Sequence, residues 1–248
     1  MELLELVADR PRSWLDSEQR LYFHEEGFDN YYIGKGSTYP HMHASMGMLF
    51  EQASSVGLID TPHGLLSFQD NIRTQYRTSL EMIRAGLERK NELLQYQREF
   101  SRETAELAVE DDIRAYVFSS PGDDARAYHA IDILNRHQIQ VNRLTEDVVI
   151  DDILYPAQDS YIVRTGQPQY RMVKALFELI TEFEDETFYD VSAWTLPLAF
   201  DFDFSPLSAR ELRGNLLGEL ISAEFPAVPA PTTASYAYLF DWSNYYAP

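Results

Sequence analysis

The longest regular pattern of apolar positions begins near residue 70. Ile72, Tyr76, Leu80, Ile83, Leu87 and Leu94 recur at three-, four- and seven-residue steps, with Arg, Gln, Glu and Lys between them. That period predicts an amphipathic helix capped by Asp70 or Asn71, with a pattern that extends towards Leu107. Gly86 weakens the case for one unbroken rod. Residues 1–20 alternate apolar and charged side chains and predict a short amphipathic helix, broken at Arg10-Pro11-Arg12. Residues 21–45 hold Tyr, Gly, His and Asn with little periodicity and read as loop. GMLFEQASS (47–55) reads as a short buried strand and turn, and LIDTPHG (58–64) as another loop.

A different rhythm starts near Ile113. AYVFSS reads as a buried strand, PGDD as a helix-capping turn, ARAYHAIDILNRHQ as the helix and IQVNRL as a second strand. Strand, helix and strand within about thirty residues predict a βαβ unit and a parallel sheet. SYIVRT, the helix QPQYRMVKALFELI and FYDVSAWTLPLAF continue the alternation. Residues 202–231, with their prolines and glycines, read as irregular. SYAYLFDWSNYYAP reads as a further strand and turn, and both ends of the chain read as cuts.

The 248 residues leave room for one large domain or two modest ones, and an apolar content of 45% is globular rather than disordered. Forty acidic residues against twenty basic ones give a net charge of −20. No cluster of Lys and Arg answers a phosphate backbone, which sets nucleic acid aside as a partner, and the same repulsion disfavours anionic membrane surfaces. No apolar run reaches the ~20 residues that span a bilayer, and the first stretch does not have the form of a signal peptide. The lack of cysteine removes disulfides, thiolate metal sites and cysteine nucleophiles.

EEGFDNYYIGKGSTYP (25–40), followed by GMLFEQASS, resembles the C-terminal half of the carboxypeptidase A-like zinc peptidases, in a large bacterial subgroup. The resemblance implies that Glu51 is the glutamate such enzymes present to a zinc-bound water. It also implies that a tyrosine-bearing loop folds over the substrate, with Tyr31, Tyr32 and Tyr39 as candidates. The helix beginning NIRTQYRTSL corresponds to the one that closes the catalytic domain. Peptide hydrolysis at neutral pH needs an activated water, and bound zinc lowers the pKa of that water to about 7. A carboxylate beside it takes the proton and later delivers it to the leaving amine, a role worth about 10²–10⁴ in rate. On a strand, Glu51 would share its face with Leu49, Gly47, Ser45, His43 and His41, while Met42, Met46, Met48 and Phe50 point into the core. The ordinary alternative is a structural carboxylate, paired with an arginine or capping a turn.

The family's zinc ligands are a His-x-x-Glu pair and a distant third histidine. Of His24, His41, His43, His63, His129 and His137, none is followed by glutamate three residues later. Zinc is therefore expected in a parent enzyme and not in this chain, which has no metal site of the family's form. His41-x-His43 would face one way on a strand but lacks an evident third ligand. Ala53-Ser54-Ser55-Val56-Gly57 is one residue from a nucleophile elbow and reads more simply as a turn, as does Gly34-Lys35-Gly36-Ser37.

YPAQDSYIVRTGQPQYRMVKALFE and TFYDVSAWTLPLAF resemble the class I glutamine-amidotransferase-like domain that follows the peptidase in this subgroup. Amidotransfer needs a cysteine, so the resemblance leaves a binding or spacer role, with Tyr189 and Trp194 as ligand contacts or core. The expected fold is α/β: part of a zinc-carboxypeptidase domain over 1–110, then a flavodoxin- or amidotransferase-like βαβ segment over 111–248. The expected function is that of a fragment of an exported (secreted or periplasmic) metallocarboxypeptidase acting on peptides. The alternative is a non-catalytic binding or scaffold module. An open strand edge predicts a homo-oligomer.

Overall fold

A computed structural model describes residues 2–24, 32–53, 55–180, 195–213, 215–227 and 233–247. They form two compact units, one up to Ser101 and the other from Arg102.

In the first unit, α1 (Glu2–Ser17) continues through Pro11, so the expected break does not occur. Proline removes one helical hydrogen bond. Ion pairs of 2.7 Å from Arg12 to Glu5 and to Asp9 span the turn that loses it. LIDTPHG is not a loop but most of a hairpin: β1 (Leu58–Thr61) pairs antiparallel with β2 (Gly64–Ser67). Gly64, at φ +108°, supplies the backbone that the tight turn requires. α2 (Phe68–Glu88) follows at once, capped by Ser67, whose Oγ accepts the Asp70 N–H at 3.1 Å. The cap therefore lies a turn earlier than Asp70 or Asn71. After Arg89, α3 (Lys90–Glu110) carries the chain into the second unit.

α2 lays its polar side on α1. Asn71, Thr78, Glu81 and Ala85 are buried, whereas Ile72, Tyr76, Ile83 and Leu87 are exposed. Ion pairs stitch the contact. Glu81 meets Arg10 of α1 at 3.6 Å, and just past the end of α1 Arg20 meets Asp70 at 3.0 Å and Glu18 meets Arg73 at 2.7 Å, while Arg84 of α2 itself holds Glu81 at 2.5 Å. The Arg77 guanidinium stands 5.8 Å from the Trp14 ring centroid.

The second unit contains β3 (Ile113–Ser119), α4 (Asp124–Arg136), β4 (Val141–Leu144), β5 (Val148–Ile150) and β6 (Ile153–Tyr155). It continues with β7 (Ser160–Arg164), α5 (Tyr170–Phe177), α6 (Leu196–Ala199), β8 (Asp203–Ser208) and β9 (Leu217–Ile221). The five-stranded order is β8-β3-β7-β4-β9, and every ladder is antiparallel. This corrects the parallel, flavodoxin- or amidotransferase-like sheet expected over 111–248. β3 and β4 do flank a helix, but β7 lies between them, so the unit is a split β-α-β of βαββαβ topology with β9 added at one edge. The region read as irregular holds β8 and β9. The strand expected near the C-terminus is absent among the described residues, which form turns there.

Alternation along β3 serves two cores. Ala115 and Val117 join Ile162, Leu207, Leu144, Tyr155 and Leu216 on one face. On the other, Phe118 packs with Phe202 and Phe177, and Tyr116 stacks on Phe177 at 4.9 Å. Asp123 caps α4 as PGDD predicts, its carboxylate accepting the Arg126 N–H at 3.0 Å. Among the described residues, no helix is long and apolar enough to cross a membrane.

Candidate functional site

Residues 45–53 follow a short 3-10 turn (Tyr39–His43) that ends at Ala44, which has a left-handed φ of +53°. The segment forms no ladder, so the buried strand expected at 47–55 is not present as such. Its side chains nonetheless alternate. Ser45, Leu49, Glu51 and Ala53 are exposed, and Met46, Met48, Phe50 and Gln52 are half-buried. Chain of period two, apolar on one side, presents Glu51 to solvent.

Both ends of this segment are fixed. Gly47 is buried with its Cα against the Ser37 carbonyl, where a Cβ would overlap the main chain. At the other end Ser55 is buried, with Oγ 2.5 Å from the Gly57 carbonyl and 3.3 Å from that of Leu66 in β2. Ser55 is thus committed to a turn. The Phe68 N–H donates to the Gly57 carbonyl at 2.9 Å, tying the same turn to the start of α2.

The Ser37 contact brings the tyrosine loop to the segment that carries Glu51. Tyr32 lays the outer end of its ring on Gly34, where a Cβ would have to displace it. Gly34–Ser37 is a pair of turns: the Lys35 N–H donates to the Tyr32 carbonyl at 3.2 Å, and the Thr38 N–H to the Lys35 carbonyl at 3.1 Å. Tyr39 is 38% exposed and its ring centroid lies 4.6 Å from that of His43. Tyr31 lies outside the described residues, as do Tyr189 and Trp194. Glu51 itself has neither a hydrogen bond nor an ion pair among the described residues, so it neither pairs with an arginine nor caps a turn there.

No family model matches the chain. No curated protein and no solved structure matches it either.

Zinc does not fit the side chains described. Among the described residues no three His, Asp or Glu groups converge as a ligand set. His41 and His43 lie on a 3-10 turn, where positions i and i+2 point apart, so the shared strand face expected for them does not form.

A second concentration of titratable groups, which the sequence reading missed, lies in the second unit. Asp111 accepts from Lys174 Nζ at 2.8 Å, from the Tyr170 hydroxyl at 3.0 Å and from the Ile113 N–H at 3.0 Å. Burial pushes the Asp111 carboxyl up, but these donors outweigh it and hold it below the usual carboxylate range. Burial lowers Lys174, yet its bond to Asp111 leaves it above the ordinary ammonium value. Burial raises Tyr116 and Glu178 nearby. This arrangement locks the end of α3 to α5. An Asp-Asp pair after a helix and a Lys sixty-three residues beyond Asp111 carry no sequence signal that they meet.

Proposed function

We propose that the first unit is the closing part of a zinc-carboxypeptidase catalytic domain, with Glu51 as the carboxylate that moves the proton in peptide hydrolysis. What supports the reading is the free, solvent-facing Glu51 on a segment anchored at both ends, beside the loop that carries Tyr32 and Tyr39. In this role Glu51 accepts a proton from the attacking water and returns it to the departing amine, so an accessible, unpartnered carboxylate is what the chemistry needs. Tyr31, Tyr32 and Tyr39 belong to the loop that covers the peptide substrate. Zinc would be held by other residues of the parent enzyme, which acts outside the cytoplasm. The second unit is its accessory domain, with a binding or spacer role.

The test compares a peptide bearing a free C-terminal carboxylate with its amidated twin. The enzyme is the product of the whole open reading frame, as wild type and as Glu51→Gln. Cleavage of the free-carboxylate peptide alone, lost by ~10²–10⁴ in kcat on substitution, is the expected result. Equal activity of the two enzymes would sink the assignment of Glu51.

A second reading is a non-catalytic binding or scaffold module, in which the partly exposed, irregular segment at 45–53 is a binding surface rather than a catalytic strand. Under it neither peptide is cleaved and the parent protein carries no stoichiometric zinc.

A further inference from the structure

One exposed file of α2 is apolar, between exposed polar and charged side chains, and its spacing is the same from either end. Ile72, Tyr76, Ile83 and Leu87 are 55%, 63%, 70% and 76% exposed. On a helix these positions fall in nearly one file, about 22 Å long at 1.5 Å per residue. About the bond between Ser79 and Leu80, Ile72 mirrors Leu87 and Tyr76 mirrors Ile83. An antiparallel second copy of α2 would therefore set Ile72 over Leu87 and Tyr76 over Ile83 at both ends of the contact. That self-complementarity is what an isologous two-fold interface requires.

The charges agree with this register. The chain carries −20, so self-association has to avoid like charges. In the same register Arg73 lies opposite Gly86, Arg77 opposite Met82 and Arg84 opposite Gln75. No arginine meets an arginine directly, and the file itself is uncharged. Small Ser79 beside the axis lets the two helices approach.

The area is also sufficient. A standard interface buries ~800 Å² per partner, of which roughly 60% is apolar. With Phe68, which is 56% exposed at the start of the same helix, the file offers on the order of 600 Å² of apolar surface. The side of α2 that would otherwise be expected to compete for burial is already on α1.

We propose that this chain forms a two-fold dimer through the Ile72–Tyr76–Ile83–Leu87 face of α2, packed antiparallel on the same face of a second copy. The inference does not depend on the peptidase reading.

The test is sedimentation equilibrium of the full chain from about 1 to 100 μM, a range that brackets a micromolar dissociation constant. Wild type is expected to be dimeric, with Ile83→Glu weakening association by about 100-fold or more, because each charge would be buried against the Tyr76 of the other copy. Ser79→Cys supplies a second measurement in a chain without cysteine: at the axis it should form an interchain disulfide under mild oxidation. Ser13→Cys, exposed on α1 and off the file, should not. A wild type that is monomeric at 100 μM overturns the proposal, and so does a dimer that Ile83→Glu leaves intact. Should Ile83→Glu fail to fold, the Ser79→Cys cross-link decides: its formation supports the dimer and its absence overturns it.

Discussion

The Cα of Gly47 rests against the carbonyl of Ser37, so that the segment carrying Glu51 and the loop carrying Tyr32 and Tyr39 meet where only glycine fits. Gly47→Ala puts a methyl into main-chain atoms that cannot rotate away. It should cost ~1–3 kcal/mol in urea unfolding. Gly36→Ala, where a Cβ meets nothing within 4 Å, is the matched control and should be close to neutral.

Glu51 should be dispensable for folding. Its side chain is exposed and has no partner among the described residues, so Glu51→Gln should change stability by no more than ~0.5 kcal/mol. A thermal or chemical melt of this chain checks it. A larger loss would reveal a structural role and restore the ordinary reading of the carboxylate.

Tyr155 is fully buried and its hydroxyl lies 2.7 Å from Ser205 Oγ, which is buried too. Tyr155→Phe leaves the serine with an unmet hydrogen bond, and Ser205→Ala does the same to the tyrosine. Each should lose ~1–2 kcal/mol, and the double variant less than their sum. Additive losses in that cycle would mean that the two hydroxyls are not coupled.

The Asp111–Lys174 pair predicts how stability depends on pH. The folded Asp111 pKa is lowered, so its contribution is complete above the unfolded value of about 3.9 and is lost as pH falls through the folded value. The folded Lys174 pKa is raised, so its contribution is complete below the unfolded value of about 10.4 and is lost as pH rises through the folded value. Asp111→Asn should flatten part of the acid limb between pH 5 and 2 and cost ~1–3 kcal/mol at pH 7. Urea midpoints measured across that range give the answer, and an unchanged acid limb would show that Asp111 is not the group responsible.

The helix period at 70–107 was legible because i, i+3 and i+4 spacing is a local property of the chain. What that stripe faces was not. An amphipathic pattern says that two sides differ, and burial of the apolar side is only the usual outcome. Here α1 offers Arg10 and Trp14, and these select the Glu81 side of α2 through the ion pairs of Arg10 with Glu81 and Glu88 and a cation–π contact of Trp14 with Arg77. Residues 58–64 read as a loop because Asp, Pro and Gly signal a turn, and the strands that make it a hairpin, Leu58–Thr61 and Gly64–Ser67, are short runs on either side of it.

For the candidate site, the alternation around Glu51 was readable residue by residue, and the exposures of 45–53 follow it. The absence of a ladder there was not, since pairing depends on a second strand. Gly47 gave no sign of its contact, because a close approach between main chains separated by ten residues leaves no mark on composition or period.

By itself, then, the sequence determined the local elements: the long helices, the β3-α4-β4 succession, the Asp123 cap and the alternating segment around Glu51. These follow from interactions within a few residues, which side-chain order encodes directly. Only the tertiary structure decided that β7 inserts between β3 and β4 to make the sheet antiparallel, and that α2 turns its polar side to α1. It also decided that Asp111 finds Lys174. Each of these is a competition among distant partners for the same hydrogen bonds and the same buried surface. Its outcome depends on the whole chain rather than on any window of it.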